Sequence, residues 1–210
     1  MTIRAILAGL AIVATLSLAV PSSSGASNPR VVIRTEKGDV LVEVDIVRAP
    51  VTAANFLRYV DAGLYDGSTF HRTVTPANQP ANRIRIEVIQ GGELPADKAF
   101  PPIAHETTAM TGIRHLDGTI SMARDRPGTA SSSFFICIND QPELDLGGRR
   151  NPDGQGFAAF GRVVRGMDVV RAIQALPARG QQLTPPVKII SVRRVDDPPK
   201  NKLSNQGETP

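Results

Sequence analysis

The sequence predicts an all-β domain: a closed antiparallel barrel of about eight strands, with two α-helices covering its ends. Short apolar segments rich in β-branched and aromatic residues recur along the chain and are separated by Gly, Pro, Asn and Asp, which is typical of strands and turns. Two helical patterns lie far apart in the sequence. The regular strand–helix alternation of a parallel sheet is therefore missing.

The domain opens with a predicted hairpin and a helix. Residues 31–47 form two apolar runs around a Glu-Lys-Gly-Asp turn. Pro50 follows, and proline is favoured at the first position of a helix because its missing N–H would have had no partner there. Apolar residues then recur at helical spacing as far as Leu64, and Gly63 fits the C-terminal cap.

Most of the remaining apolar segments are too short for helices and are predicted to be strands. They lie at residues 69–74, 84–90, 119–123, 134–138 and 158–164. A second helix is predicted for residues 167–176, where Pro177 ends it, and residues 187–195 give the last strand.

The two ends of the chain differ from this domain of residues 27–195. Residues 1–26 have the pattern of a signal peptide, with Arg4, an apolar run of about 15 residues and a Ser24-Gly25-Ala26 cleavage site. That run is short for the roughly 20 residues that span a bilayer, although an uncleaved anchor is the alternative. We expect export to the periplasm or out of the cell, and a disordered tail over residues 196–210.

Several chemistries are disfavoured. The formal charge of +4 is spread along the chain, so nucleic-acid binding is not expected. His71, His105 and His115 lie far apart, so neither a metal site nor a cofactor is expected. The serines at 131–133 lack the glycines of a nucleophile elbow, and Cys137 lies in an apolar run typical of the core. No heptad or long apolar stripe is present, and we expect a monomer.

Six stretches of the chain resemble the cyclophilin family of peptidyl-prolyl cis–trans isomerases in content and order. They are Phe70-His71-Arg72, Val-Ile-Gln-Gly-Gly at 88–92, Ser-Met-Ala at 121–123, residues 132–137, Leu144-Asp145, and Phe-Ala-Ala-Phe-Gly at 157–161. The resemblance covers residues 31–195. It implies an eight-stranded antiparallel barrel with two capping helices, and an enzyme that rotates X–Pro peptide bonds in proline-containing segments. Together with the signal pattern, it suggests that the protein assists the folding of exported proteins.

The resemblance also implies the roles of individual residues. Arg72 matches the catalytic arginine, whose cation is directed at the prolyl nitrogen, and Gln90 matches the glutamine that binds the substrate backbone and supports the arginine. The substrate groove is then formed by Val88, Ala123, Phe135, Leu144 and Phe157. The alternatives are a structural salt bridge for Arg72 and ordinary barrel core for Phe135 and Leu144.

The chain departs from the family pattern around this groove. Residues 75–86 lengthen one connection, so that Glu87 falls where a pocket phenylalanine is usual. Either a carboxylate rims the pocket or another aromatic residue replaces the lost wall. Glu143 stands where many members have the tryptophan used in binding cyclosporin, so we expect weak binding of that drug. A second insertion, residues 147–156, is predicted to be a surface loop.

Three further positions differ, with Arg124, Ala130 and Ser133 in place of Asn, Asn and Gln. Such changes leave a rival hypothesis open. In it the protein is a binding module or chaperone that holds proline-containing segments without useful turnover.

Overall fold

Eight antiparallel strands close on themselves in the computed structural model, which describes residues 27–195. In chain order the strands are β1 (Arg30–Thr35), β2 (Gly38–Val44), β3 (Thr69–Val74), β4 (Val88–Gly91), β5 (Thr119–Met122), β6 (Phe134–Cys137), β7 (Ala158–Arg165), β8 (Ala178–Arg179) and β9 (Gln182–Val195). Around the barrel their order is β1-β2-β7-β5-β6-β4-β3-β9, and β9 pairs with β1 to close it. The two-residue β8 forms a hairpin with β9. The predicted barrel is confirmed.

The helices are α1 (Pro50–Asp61), α2 (Thr108–Thr111) and α3 (Met167–Gln174). Helices α1 and α3 confirm the two predicted helices, and α2 is an additional one. Helix α2 is a single turn of four residues. A repeat of 3.6 residues cannot be recognised over so short a segment, and this explains why the sequence pattern did not reveal it.

The strand predicted for residues 84–90 begins only at Val88. The reason lies in Gln79, a buried side chain in the inserted connection. Its amide nitrogen donates to the Ile86 carbonyl over 2.7 Å, and its amide oxygen accepts from the Ile86 N–H over 3.3 Å. Ile86 therefore satisfies its backbone with a side chain rather than with a neighbouring strand.

Two hydrophobic clusters lie on opposite faces of the sheet. The main cluster fills the barrel around Phe134, whose ring lies edge-on to Phe56, Tyr65 and Phe70 with centroids 5.4–5.8 Å apart. The smaller cluster lies on the other side of the same sheet and contains Phe135. Successive strand residues point to opposite faces, so β6 supplies one phenylalanine to each cluster.

Within the described range, no helix has both the length and the apolar character needed to cross a membrane. Cys137 belongs to the smaller cluster and is buried, as predicted, and burial raises the pKa of its thiol well above the usual value. The signal segment and the C-terminal tail predicted for residues 1–26 and 196–210 lie outside the described residues.

Candidate active site

The seven predicted site residues are brought together in one groove of about 400 Å³ on the outer face of the barrel. Strands β3, β4 and β6 supply part of its floor, and the segments that follow β5 and precede β7 supply its sides. The residues are Arg72, Val88, Gln90, Ala123, Phe135, Leu144 and Phe157. The barrel topology brings together residues that are up to 85 positions apart in the sequence, because β4 lies between β3 and β6.

Arg72 is held by two neutral amides. Its Nη1 donates to Gln90 Oε1 over 2.8 Å, and its Nε and Nη2 donate to Gln181 Oε1 over 2.9 and 2.6 Å. No carboxylate in residues 27–195 forms an ion pair with Arg72, so the alternative of a structural salt bridge was wrong. Burial, followed by the charge of Arg150, lowers the pKa of Arg72. An arginine stays protonated in proteins, and the groove therefore contains an uncompensated cation.

Gln90 has a fixed orientation beside Arg72. The two residues face each other across β3 and β4, and the Gln90 oxygen accepts from Arg72. Its Nε2 donates to Ser133 Oγ over 3.1 Å, and that hydroxyl donates to the Gly91 carbonyl over 3.4 Å. Ser133, which stands where a glutamine is common in the family, thus anchors Gln90.

Gln181 is a site residue that sequence reasoning missed. It lies in the turn between β8 and β9, 109 positions from Arg72. Its backbone carbonyl accepts from the Thr73 N–H over 2.9 Å, which ties the turn to β3. Neither periodicity nor a motif distinguishes this glutamine in the sequence, since only the pairing of β9 with β3 brings it to Arg72.

Replacing Gln181 with Leu is expected to lower kcat for an Ala-Pro peptide about tenfold, because the guanidinium loses an acceptor for two of its N–H groups, an interaction of about 1–2 kcal/mol. Isomerisation kinetics by NMR measure this effect. The matched control is Gln182→Leu, since Gln182 is the exposed neighbour and its loss should change kcat little. A purely structural role for Gln181 would instead lower the melting temperature and leave kcat unchanged.

The apolar part of the groove has an aromatic corner. The rings of Phe135 and Phe157 meet edge to face, with centroids 5.3 Å apart, and Leu144, Val88 and Ile86 are buried in the same cluster. Phe135 and Leu144 therefore line the groove and lie outside the main barrel core.

Both expectations for Glu87 were wrong. Its carboxylate turns away and accepts a hydrogen bond of 3.0 Å from Asn139 Nδ2. The preceding residue, Ile86, lines the groove instead, because the backbone bonds to Gln79 fix its direction. The pocket wall here is aliphatic, neither carboxylate nor aromatic.

A buried Ser–His–Asp arrangement supports the groove from behind. His115 Nδ1 lies 2.8 Å from Asp145 Oδ1, and His115 Nε2 lies 3.0 Å from Ser121 Oγ. The His115 ring stacks on Phe135 at a centroid distance of 6.0 Å. His115 and Ser121 are fully buried, so substrate cannot reach the serine. The arrangement fixes the positions of Phe135 and of Leu144, the residue before Asp145.

His115 should make stability fall as the pH decreases below about 6.5, the ordinary pKa of histidine. Burial lowers the pKa of His115 in the folded protein, and the hydrogen bond that His115 donates to Asp145 opposes this only in part. Below that pH the unfolded chain therefore binds a proton that the folded protein does not. The free energy of unfolding should fall by at most about 1.4 kcal/mol per pH unit from this group.

Urea unfolding at several pH values between 5.5 and 7.5 measures this slope. Burial also lowers the pKa of His71, although Glu93 opposes the shift, so His71→Gln is the control that isolates His115. We expect the slope of the unfolding free energy against pH to persist in His71→Gln and to be smaller in His115→Gln. Stability independent of pH in this window would contradict the assignment.

The second inserted loop, residues 147–156, lies at the surface as predicted and also forms part of the groove. Arg124 holds it by pairing with Asp153 over 2.7 Å and donating to the Gly156 carbonyl. The guanidinium of Arg124 lies 5.0 Å from the centre of the Phe157 ring, and its hydrogen bond to Asp153 lowers the pKa of that carboxyl to about 2. Arg150 and Asn151 of this loop line the groove.

Residues 27–195 contain no group of three or more His, Cys, Asp or Glu side chains placed to hold a metal ion. The chemistry available in the groove is thus that of a fixed guanidinium and an amide beside an apolar pocket.

Comparison with known proteins identifies a family and several relatives. The family model of cyclophilin type peptidyl-prolyl cis-trans isomerases matches residues 30–194. Peptidyl-prolyl cis-trans isomerase A of Dickeya dadantii (strain 3937) is 36% identical over 175 residues, which cover 81% of this chain and 84% of that protein. Isomerase cyp18 of Streptomyces antibioticus is 36% identical over 171 residues, or 77% of this chain and 95% of the relative.

A crystal structure of a cyclophilin type isomerase from Cryptosporidium parvum has a similar fold. It superposes with a TM-score of 0.63 at 20% identity, and the match covers 81% of this chain and 99% of that one. At this identity the likeness supports the barrel fold alone.

Proposed function

We propose, since the chain belongs to the cyclophilin-type peptidyl-prolyl cis–trans isomerase family, that it isomerises X–Pro bonds in the groove around Arg72 and assists the folding of exported proteins. The isomerase activity is that of the family. The role of each residue and the exported clients are the proposal. One observation carries it: a guanidinium without a carboxylate partner in the described residues is held by Gln90 and Gln181 beside an apolar pocket.

This arrangement suits a reaction that breaks no covalent bond. Rotation about an X–Pro bond must overcome amide resonance, a barrier of about 18–20 kcal/mol. In the twisted state the lone pair of the prolyl nitrogen is localised and becomes a hydrogen-bond acceptor. An N–H of Arg72 directed at that nitrogen stabilises the twisted state more than either planar state, which is the condition for catalysis.

Arg72 supplies only part of the acceleration. A ~10⁴-fold increase in rate corresponds to about 5.4 kcal/mol, whereas a hydrogen bond to a charged group contributes about 1.5–3 kcal/mol. We assign the remainder to the apolar pocket and to Gln90. The pocket of Phe135, Leu144 and Phe157 binds the proline ring and excludes water, which disfavours the more polar planar amide.

The binding partners follow from this site. A structure of the Cryptosporidium parvum relative was determined in the presence of the dipeptide Ala-Pro, and we propose that proline-containing segments of unfolded proteins bind in the groove around Arg72. Glu143 pairs with Arg149 over 2.7 Å. A carboxylate engaged in an ion pair therefore stands at the position of the tryptophan with which many members of the family bind cyclosporin. Weak cyclosporin binding and a monomeric protein remain part of the proposal.

Export rests on the sequence of residues 1–26, with its positive start, short apolar run and small residues before position 27. A purified exported protein whose slow refolding is limited by a prolyl bond tests the proposed role. The wild type should accelerate the slow phase at substoichiometric concentration, and mass spectrometry of the exported fraction should find a chain that begins near position 27. The binding-module hypothesis predicts suppressed aggregation at stoichiometric concentration with no faster refolding.

A further inference from the structure

A second cation lies in the groove beside Arg72. Arg150, in the inserted loop of residues 147–156, lines the same groove. Its Nη1 donates to the Ile84 carbonyl over 2.7 Å, and no carboxylate in residues 27–195 pairs with it. Two neighbouring arginines differ in this respect, because Arg149 pairs with Glu143 and Arg124 pairs with Asp153. Arg150 therefore brings an uncompensated positive charge to the groove.

The loops around Arg150 hold it in place. Its bond to Ile84 joins the second inserted loop to the first, and its backbone N–H donates to the Glu143 carbonyl over 3.2 Å. The side chain is half-buried. Its remaining guanidinium N–H groups have no acceptor in the described part of the chain. A partly desolvated, fixed guanidinium with unused donors binds a carboxylate more strongly than a mobile surface cation does.

The two guanidinium groups face the same groove and repel each other. The charge of Arg150 contributes to the lowered pKa of Arg72, second to burial, which is consistent with two cations facing one cavity. The acidic residues that line the groove are Glu93 and Asp125. Glu93 lies 3.2 Å from His71, and neither carboxylate forms an ion pair with Arg72 or Arg150. An anionic group entering the groove would relieve this repulsion.

We propose that Arg150 forms an anion subsite beside the proline pocket, and that the protein prefers X–Pro segments with an aspartate or glutamate next to the proline. The inference rests on the proposed function, since it requires turnover in the Arg72 groove. Arg150 acts here as a specificity residue. It binds the flanking carboxylate, while Arg72 remains available to the prolyl nitrogen.

Matched peptides test this subsite. Each contains one proline with a glutamate either directly before or directly after it, and each has a counterpart with glutamine at that position. At low ionic strength the wild type should show kcat/KM about tenfold higher for at least one glutamate peptide, equivalent to about 1.4 kcal/mol. Added salt should reduce the ratio. NMR exchange measurements give kcat/KM for each peptide.

Variants of neighbouring arginines separate local binding from net charge. Arg150→Gln should reduce the glutamate-to-glutamine ratio of kcat/KM to about 1. Arg150→Lys should preserve much of the preference. Arg149→Gln removes the same charge from the same loop, but its guanidinium is already paired with Glu143, so the ratio should persist.

Three results would overturn the subsite: equal rates for glutamate and glutamine peptides, a preference that survives in Arg150→Gln, or an equal loss in Arg149→Gln. If the glutamine peptides are turned over rapidly without any acidic preference, the subsite fails and the isomerase function stands. If the folded wild type turns over neither kind of peptide, the proposed function fails and the subsite with it.

Discussion

Replacing Arg72 with Ala is expected to lower kcat/KM for an Ala-Pro peptide by about 100-fold, the effect typical of losing one donor that acts on the transition state. The fold should persist, because the Arg72 side chain lies in the groove and contacts the amides of Gln90 and Gln181, which water can solvate after the change. Peptide isomerisation kinetics and thermal unfolding, measured on the same preparation, give the two quantities.

Arg72→Lys is the control for charge. A lysine keeps the cation but cannot bind two amide oxygens and the prolyl nitrogen with one planar group, so we expect activity between those of the wild type and Arg72→Ala. An Arg72→Ala protein that is folded and retains wild-type kcat/KM would remove Arg72 from the mechanism.

Phe134 and Phe135 should give opposite results when each is replaced with Ala. Phe134 is fully buried at the centre of the barrel's aromatic cluster, and its loss should cost about 3–5 kcal/mol of unfolding free energy. The groove lies on the other face of the sheet, so the kcat/KM of the folded fraction should stay close to that of the wild type.

Phe135→Ala should mainly affect catalysis. Its ring borders the groove against Phe157, and burial of a proline against such a wall is worth about 1.5–3 kcal/mol, or about 10- to 100-fold in kcat/KM. The loss of stability should be smaller than for Phe134→Ala, because the void opens into the groove. If Phe134→Leu, a milder variant, lowers kcat/KM as much as Phe135→Ala does, the core-facing and groove-facing sides of the sheet do not act independently on stability and catalysis.

Most of the barrel is predictable from local patterns, and the exceptions have physical reasons. The β6 segment is apolar at every position from Phe134 to Ile138, as expected for a strand covered on both faces. Helix α2 has too few residues for a periodic signal. The early part of the 84–90 segment alternates like a strand, yet Gln79 takes the backbone bonds of Ile86 that a neighbouring strand would otherwise provide.

The residues of the candidate site could be predicted where they lie in a recognisable motif. Arg72 and Gln90 stand in recognisable stretches, and the barrel brings them within 2.8 Å of each other. Gln181 and Ile86 were not predictable, because one lies in a turn without a motif and the other in an insertion that shifts the pocket wall by one position. Gln181 is placed by the pairing of two distant strands, and Ile86 by hydrogen bonds to the side chain of Gln79. A single sequence displays neither interaction.

Isomerisation of a short Ala-Pro peptide, observed by NMR with the purified wild type present, tests the central claim most directly. The cis and trans signals of the peptide exchange too slowly to broaden each other without a catalyst, since uncatalysed isomerisation takes tens to hundreds of seconds. We predict strong exchange broadening with the wild type and almost none with Arg72→Ala. A folded wild-type protein that binds the peptide without causing exchange would contradict the isomerase account and favour a binding module.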